Sequence, residues 1–250
     1  MTPAEVSLAV ESVSKNFGGL AAVKEVSLRV ERGERRGILG PNGAGKTTLF
    51  NLIAGDLKPS AGKILLHGQD ITHMPNHQRA YLGMARTFQI TNLFPNMTVI
   101  DNLLLAAQAL DRAKFSMFRP IQSHEHIVAR AERALEQIKM GDLRDIPIKH
   151  LSYGVQRQIE VALALVEEPK VLLLDEPTAG LSPAESAEMV GLLKELDPGI
   201  TILIIEHDMD VAFELTDRLT VMHEGSILAD GPKDEVRNNQ TVQEIYLGYG

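Results

Sequence analysis

The segment Gly40-Pro41-Asn42-Gly43-Ala44-Gly45-Lys46-Thr47 constrains this chain more than any other feature. It fits the pattern G-x-x-x-x-G-K-[ST], which works only between a strand and a helix. Both flanks are legible. Residues 36–40 (RGILG) form a short apolar run ending in glycine, and residues 46–54 (KTTLFNLIA) carry apolar side chains at helical spacing before a C-cap at Gly55. Glycines let consecutive backbone N–H groups converge on phosphate oxygens, and the helix N-terminus adds the positive end of its dipole. Lys46 then reaches the β- and γ-phosphates, and Thr47 offers a hydroxyl to Mg²⁺.

The surrounding pattern is that of an α/β domain. Val6, Leu8 and Val10 alternate with polar residues, as do Val26, Leu28 and Val30, which predicts half-buried antiparallel strands joined by a turn at Gly33-Glu34. A strand is expected at residues 63–66, then a polar connection through His77. Thr98, with Asp101 three residues on, predicts a helix to about residue 113, and a charged, Ala-rich helix follows over about 125–139. Ser152 caps another helix to about residue 166. Residues 171–174 and 201–205 are continuously apolar, like strands buried on both faces of a parallel sheet. Ser182-Pro183 opens a helix, residues 208–216 read as helix and 219–222 as strand. The organisation is one α/β domain with an antiparallel flank and a helical lobe at roughly 75–155.

A buried strand at 171–174 delivers Asp175 and Glu176 to its carboxyl end, where ligands bind in open α/β sheets. Asp175 is suited to hold Mg²⁺, and Glu176 to orient and deprotonate an attacking water, because phosphoryl transfer needs a metal, in-line geometry and a positioned base. The charge balance narrows the partner. With Lys+Arg 25 against Asp+Glu 33 the chain carries a net charge of -8, which disfavours nucleic acid. The absence of cysteine removes disulfides, thiolate metal sites and a Cys nucleophile. Neither a secretion signal nor an apolar run of the ~20 residues needed to cross a membrane is present.

Leu151-Ser152-Tyr153-Gly154-Val155-Gln156 opens a helix between the P-loop and Asp175. With it the chain resembles the ATP-binding cassettes of ABC transporters, whose motifs occur here in order: an aromatic at Phe17, the P-loop at 40–47, Gln89, the signature at 151–156, Asp175 and Glu176, a D-loop at 179–183, and His207. The fold implied is a P-loop NTPase with a RecA-like core, an antiparallel β subdomain and a helical signature subdomain at roughly 90–165. A helical tail follows at roughly 232–250. The resemblance implies ATP and Mg²⁺ as ligands. Phe17 stacks on adenine, residues 40–48 including Thr48 hold phosphates, and Gln89 joins Thr47 and Asp175 at the metal. Glu176, His207 and Gln89 serve the reaction. Ser152, Tyr153 and Gly154 meet the γ-phosphate bound by an opposite subunit. Two departures stand out: Tyr153 and Val155 replace glycine and glutamine of the commonest signature, and Ser182 replaces the usual D-loop aspartate.

One P-loop and one signature make half a machine, so a second cassette, identical or unlike, is expected. Within the family the chain is similar to the G-type ATPases of high-affinity branched-chain amino acid importers, on Phe17-Gly18-Gly19-Leu20, Ala85-Arg86-Thr87-Phe88-Gln89, Met97-Thr98-Val99, Glu206-His207-Asp208-Met209 and Ile245-Tyr246-Leu247-Gly248. This implies two transmembrane permease subunits, a periplasmic solute-binding protein and a peripheral place on the cytoplasmic face of the inner membrane. Related cassettes for urea or amide import, or for lipid or lipopolysaccharide export, share several of these segments. A soluble non-transport cassette would need tandem cassettes or long coiled coils. A P-loop GTPase would need an Asn-Lys-x-Asp motif, and neither it nor a small-molecule kinase explains the signature.

Overall fold

The computed structural model describes residues 5–87, 93–111 and 120–247. Alternation builds the smaller sheet. Strand β1 (Val6–Phe17) pairs antiparallel with β2 (Leu20–Glu31) through Leu8↔Val30, Val10↔Leu28 and Val13↔Val26. On its other edge β1 pairs with β4 (Ala61–Leu66), and the short β5 (Gln69–Asp70) completes the order β2-β1-β4-β5.

The larger sheet has the order β10-β9-β3-β8-β7-β6. Its parallel strands are β3 (Arg35–Leu39), β6 (Met84–Arg86), β7 (Val171–Asp175), β8 (Thr201–Ile205) and β9 (Arg218–His223). Antiparallel β10 (Ser226–Pro232) closes one edge. Every residue of β7 and β8 is buried. The reason is the period of two. Leu172, Leu174, Ile202 and Ile204 face a core shared with helices α3 (Val99–Ala109), α4 (Glu125–Gln137), α5 (Tyr153–Leu165) and α6 (Pro183–Glu195). Val171, Leu173, Leu203 and Ile205 face a second core, built with the small sheet and α1 (Lys46–Ala54). The sheet is thus covered on both sides, as its unbroken apolar strands require.

The helices start where their caps say. Thr98 accepts from the N–H of Asp101, Ser152 from that of Val155, and Ser182 from that of Glu185. Helix α4 stops two residues short of the expected end, because Lys139 takes a left-handed φ of 57° and the N–H of Met140 returns to the carbonyl of Leu135. Helix α3 ends at Ala109 rather than near 113, and residues 112–119 lie outside the described part.

The expected polar connection through His77 holds more structure than its composition suggests, namely β5 and the start of α2 (Asn76–Ala80), and β6 follows it. Arg79 organises it. Its guanidinium is buried and donates to the carbonyls of Leu52 (2.9 Å) and Ile53 (2.5 Å) at the end of α1, and to those of Ile71 (2.7 Å) and Met74 (2.8 Å). A charge placed there satisfies carbonyls that a helix end leaves unpaired and complements the dipole. Past β8 the chain forms α7 (Met209–Leu215), then β9, β10, α8 (Lys233–Arg237) and α9 (Gln240–Leu247). No helix among the described residues is long and apolar enough to cross a membrane.

Candidate functional site

Strand order places the site. Strand β3 leads into the P-loop, its neighbour β8 into Glu206 and His207, and β7 into Asp175 and Glu176. All three loops leave from the carboxyl ends of parallel strands, where such sheets bind ligands. One open cleft of about 730 Å³ results, lined by P-loop residues 42–48 together with Phe17, Glu176 and His207.

The P-loop is shaped by close backbone approach. Gly45 has φ 99°, and a Cβ there would sit 2.5 Å from the carbonyl oxygen of Ala22. A Cβ on Gly40 would sit 2.3 Å from the carbonyl oxygen of Met222. Helix α1 begins at this point with no side-chain cap and no acidic residue in its first turn, so its N–H groups and dipole are left for an anion. The Lys46 ammonium donates to the carbonyls of Gly40 (2.6 Å) and Pro41 (3.1 Å), at the centre of the loop. Burial lowers its pKa, and the nearby charge of Glu176 opposes that shift. Thr47 and Thr48 open α1 on the cleft side.

Glu176 carries backbone strain. Its φ is 49°, in the left-handed region that costs an L residue roughly 1–2 kcal/mol. Its N–H donates to the carbonyl of Ile205 at 3.0 Å, extending the β7–β8 pairing by one step. One carboxylate oxygen lies 2.6 Å from His207 Nε2. Asp175, immediately before it, is only 2% exposed. Its Oδ2 accepts from Arg86 Nη2 at 2.8 Å, whereas its buried Oδ1 has no hydrogen-bond partner among the described residues. A buried carboxylate oxygen without a donor suits a hard cation, which takes oxygen ligands. No cluster of three His, Cys, Asp or Glu that could cage a metal occurs among the described residues. Mg²⁺ is commonly held by one or two protein oxygens plus substrate phosphates.

Phe17 closes β1, is 47% exposed, and lies beneath the Lys15 ammonium at 5.1 Å from its ring centre. An exposed ring at the cleft edge offers a flat apolar face to a base. Gln89 lies outside the described residues.

The signature residues Ser152, Tyr153 and Gly154 stand apart from this cleft, at the N-terminus of α5. Tyr153 and Gly154 contact the D-loop and the first turn of α6 in their own chain instead. The N–H of Gly154 donates to Glu185 Oε1 at 3.3 Å, and Tyr153 sets its ring against Gly180. Ser182, where the family pattern has aspartate, forms a reciprocal capping box with Glu185. Serine and aspartate are near-equivalent N-caps, so the local geometry survives that exchange. Glu185 has its pKa lowered by hydrogen bonds from Ser182 and then from Gly154.

Several residues here escaped the sequence reading. Glu206 is 3% exposed; its Oε1 accepts from the N–H and hydroxyl of Thr178, its Oε2 from the N–H of His207. Burial raises its pKa, those hydrogen bonds oppose the shift, and the charge of Glu176 adds to it. Arg86 joins Asp175 to Asp56 (2.5 Å) and to Asn51 of α1 (2.7 Å). Arg157, on α5, donates to the carbonyl of Glu176 at 3.0 Å. Arg86 and Glu206 lie in segments that carry the family resemblance, but nothing there gave them, or Arg157, a role. The usable signal was a charge on an apolar helix face, as at Arg157, or next to a buried strand, as at Glu206.

Known proteins share this arrangement. The sequence profile of ABC transporters matches residues 23–179. The high-affinity branched-chain amino acid transport ATP-binding protein LivG of Salmonella typhimurium is 43% identical over 250 residues, covering 96% of this chain and 97% of that protein. A crystal structure of the ADP conformation of an ATP-binding cassette of an ABC transporter superposes with a TM-score of 0.87 at 35% identity, over 97% of this chain and 99% of that one. A dimeric bacterial ABC transporter cassette gives 0.74 at 25% identity, over 90% and 98%.

Proposed function

The chain belongs to the ABC transporter family as an ATP-binding, ATP-hydrolysing subunit, and on that premise we propose that it powers uptake of branched-chain amino acids through separate membrane subunits. The observation that carries the substrate class is the 43% identity to LivG spread over 96% of the chain, rather than confined to the nucleotide motifs. No residue of the cleft reads an amino acid; that choice falls to a periplasmic binding protein and the two permease subunits. The chain's place is the cytoplasmic face of the inner membrane.

Each site residue has a part in this reading. Phe17 stacks on adenine. Residues 40–48 wrap the phosphates, with Lys46 exchanging its contacts to the Gly40 and Pro41 carbonyls for phosphate oxygens. Thr47, Gln89 and Asp175 hold Mg²⁺, which supplies charge neutralisation to the phosphates when bound. Glu176 accepts the proton of the attacking water, and His207 fixes its carboxylate and contacts the γ-phosphate. Ser152, Tyr153 and Gly154, remote from the cleft of their own chain, complete the cleft of a second cassette. ATP then favours the closed pair because its γ-phosphate touches both subunits, and hydrolysis removes that contact.

Purification of the intact complex from membranes tests the reading, with partners identified and ATP hydrolysis measured in proteoliposomes against candidate solutes. Two permeases, a second cassette and stimulation by leucine, isoleucine or valine with their binding protein are expected. Stimulation by urea, amides or lipid instead would reassign the substrate, and ribosomal or DNA-bound partners would remove the transport role.

A further inference from the structure

Three polar groups of Glu176 are tied to three different parts of the molecule. Its N–H is held by Ile205 of β8, its carboxylate by His207, and its carbonyl oxygen by Arg157 Nη2 at 3.0 Å. The third tie comes from the helix that the signature opens, since Arg157 lies one turn into α5. The donor is itself aimed: Arg157 Nη1 donates to Glu160 Oε2 at 2.7 Å, from one turn further along. Arg157 is 4% and Glu160 7% exposed. Burying such a pair desolvates two charges, and apolar side chains of similar size often fill such a space at no loss of stability. Stability is therefore a weak reason for the pair; delivery of a fixed donor to the carbonyl of Glu176 is a stronger one. A left-handed residue persists only where its surroundings over-determine it.

We infer that Arg157, oriented by Glu160, is a positioning residue that holds the Glu176 backbone in its left-handed turn and so aims the carboxylate over the P-loop cleft. The inference rests on the reading of Glu176 as the base. It also makes α5 a physical link between two half-sites, because the helix that anchors Glu176 begins with Ser152 and Gly154.

The test uses the full-length chain in its transporter complex. Arg157→Met/Glu160→Met removes both charges together, so neither buried charge is left without the other, and takes the donor from the Glu176 carbonyl. Steady-state ATP hydrolysis, affinity for a fluorescent ATP analogue and thermal melting are measured in wild-type and Glu176→Gln backgrounds. Displacing a catalytic group by an ångström or less costs rate rather than binding, so kcat is expected to fall about tenfold or more with KM within about twofold. On the Glu176→Gln background the same pair of changes is expected to have almost no further effect, because its target is already gone. Wild-type kcat in the folded double variant, or an equal loss on both backgrounds, overturns the inference. Should the double variant melt too early to assay, Glu160→Gln takes its place, with a smaller kcat loss that again vanishes beside Glu176→Gln; unchanged kcat there overturns it equally. Full turnover by Glu176→Gln alone would instead remove the reading on which the inference stands.

Discussion

His207 Nε2 lies 2.6 Å from Glu176 Oε1 at the rim of the P-loop cleft. The two residues follow adjacent strands, β8 and β7, and Glu176 is the more buried, at 15% side-chain exposure against 46%. An imidazole at hydrogen-bond distance restrains the carboxylate to one direction, as a base that must meet a single water requires. Glu176→Gln keeps size and an acceptor for His207 but removes the basic oxygen. Turnover is expected to drop by roughly 10² to 10⁴, as for loss of a general base, while nucleotide affinity stays. Phosphate release and fluorescent-nucleotide titration on the same sample check this; wild-type hydrolysis would take the role from Glu176.

Lys46→Ala acts on binding instead. The ammonium is the only cation among the described P-loop residues, and it already sits on the Gly40 and Pro41 carbonyls, in the middle of the loop. Charge-assisted hydrogen bonds contribute about 1.5–3 kcal/mol, so ATP affinity is expected to weaken by roughly 10- to 100-fold. Equilibrium titration measures it. Unchanged affinity would show that the loop's N–H groups suffice.

How far the sequence reached depended on whether a residue's role is local. The P-loop, α1 with its Gly45 and Gly55 ends, and the caps Thr98, Ser152 and Ser182 follow from short-range chemistry, and they stand where the spacing put them. The same is true of β8, whose apolar run is its own signal. Residues whose partners are distant in sequence were invisible. Arg79 reaches back 27 residues to Leu52, Arg157 forward 19 to Glu176, and Glu206 back 28 to Thr178. The three residues of β6, at a sheet edge, carry too little periodicity to bound a strand.

Phe17→Ala tests the stacking platform. The ring is 47% exposed, so its removal opens no core cavity and stability is expected to stay within about 0.5 kcal/mol. Aromatic pairs contribute about 0.5–1.5 kcal/mol beyond area burial, which predicts an ATP affinity loss of roughly 2- to 12-fold. Phe17→Tyr should restore it. Equal affinity in all three proteins would assign Phe17 to the scaffold alone.

Arg79→Met tests stability away from the cleft. The substitution keeps the buried stem but leaves the carbonyls of Leu52, Ile53, Ile71 and Met74 without their donor. Burial lowers the guanidinium pKa to about 10 against the opposing charge of Asp56, so the folded protein bears a desolvation cost that these hydrogen bonds help offset. A loss of about 3 kcal/mol is expected. In a chain of this size that lowers Tm by about 6–12 °C. Circular dichroism melting reads it, and a shift below 2 °C would mean that water replaces the guanidinium.

Glu206→Gln should change how stability depends on pH. The unfolded chain releases this proton near the ordinary value of 4.5, whereas burial makes the folded chain hold it to higher pH. Folding therefore favours the protonated form. The stabilisation is fully present below pH 4.5 and is lost as pH rises through the folded value, beyond which the buried charge costs stability. Glutamine is neutral at every pH and keeps an oxygen for the Thr178 hydroxyl. The Tm of Glu206→Gln relative to wild type should thus rise as pH increases from 4.5 through the folded value and then level off. Other buried carboxylates, Glu160 and Glu167, titrate in both proteins and cancel in the difference. A Tm difference that stays flat with pH would mean that the Thr178 hydrogen bonds outweigh burial and that Glu206 is charged throughout.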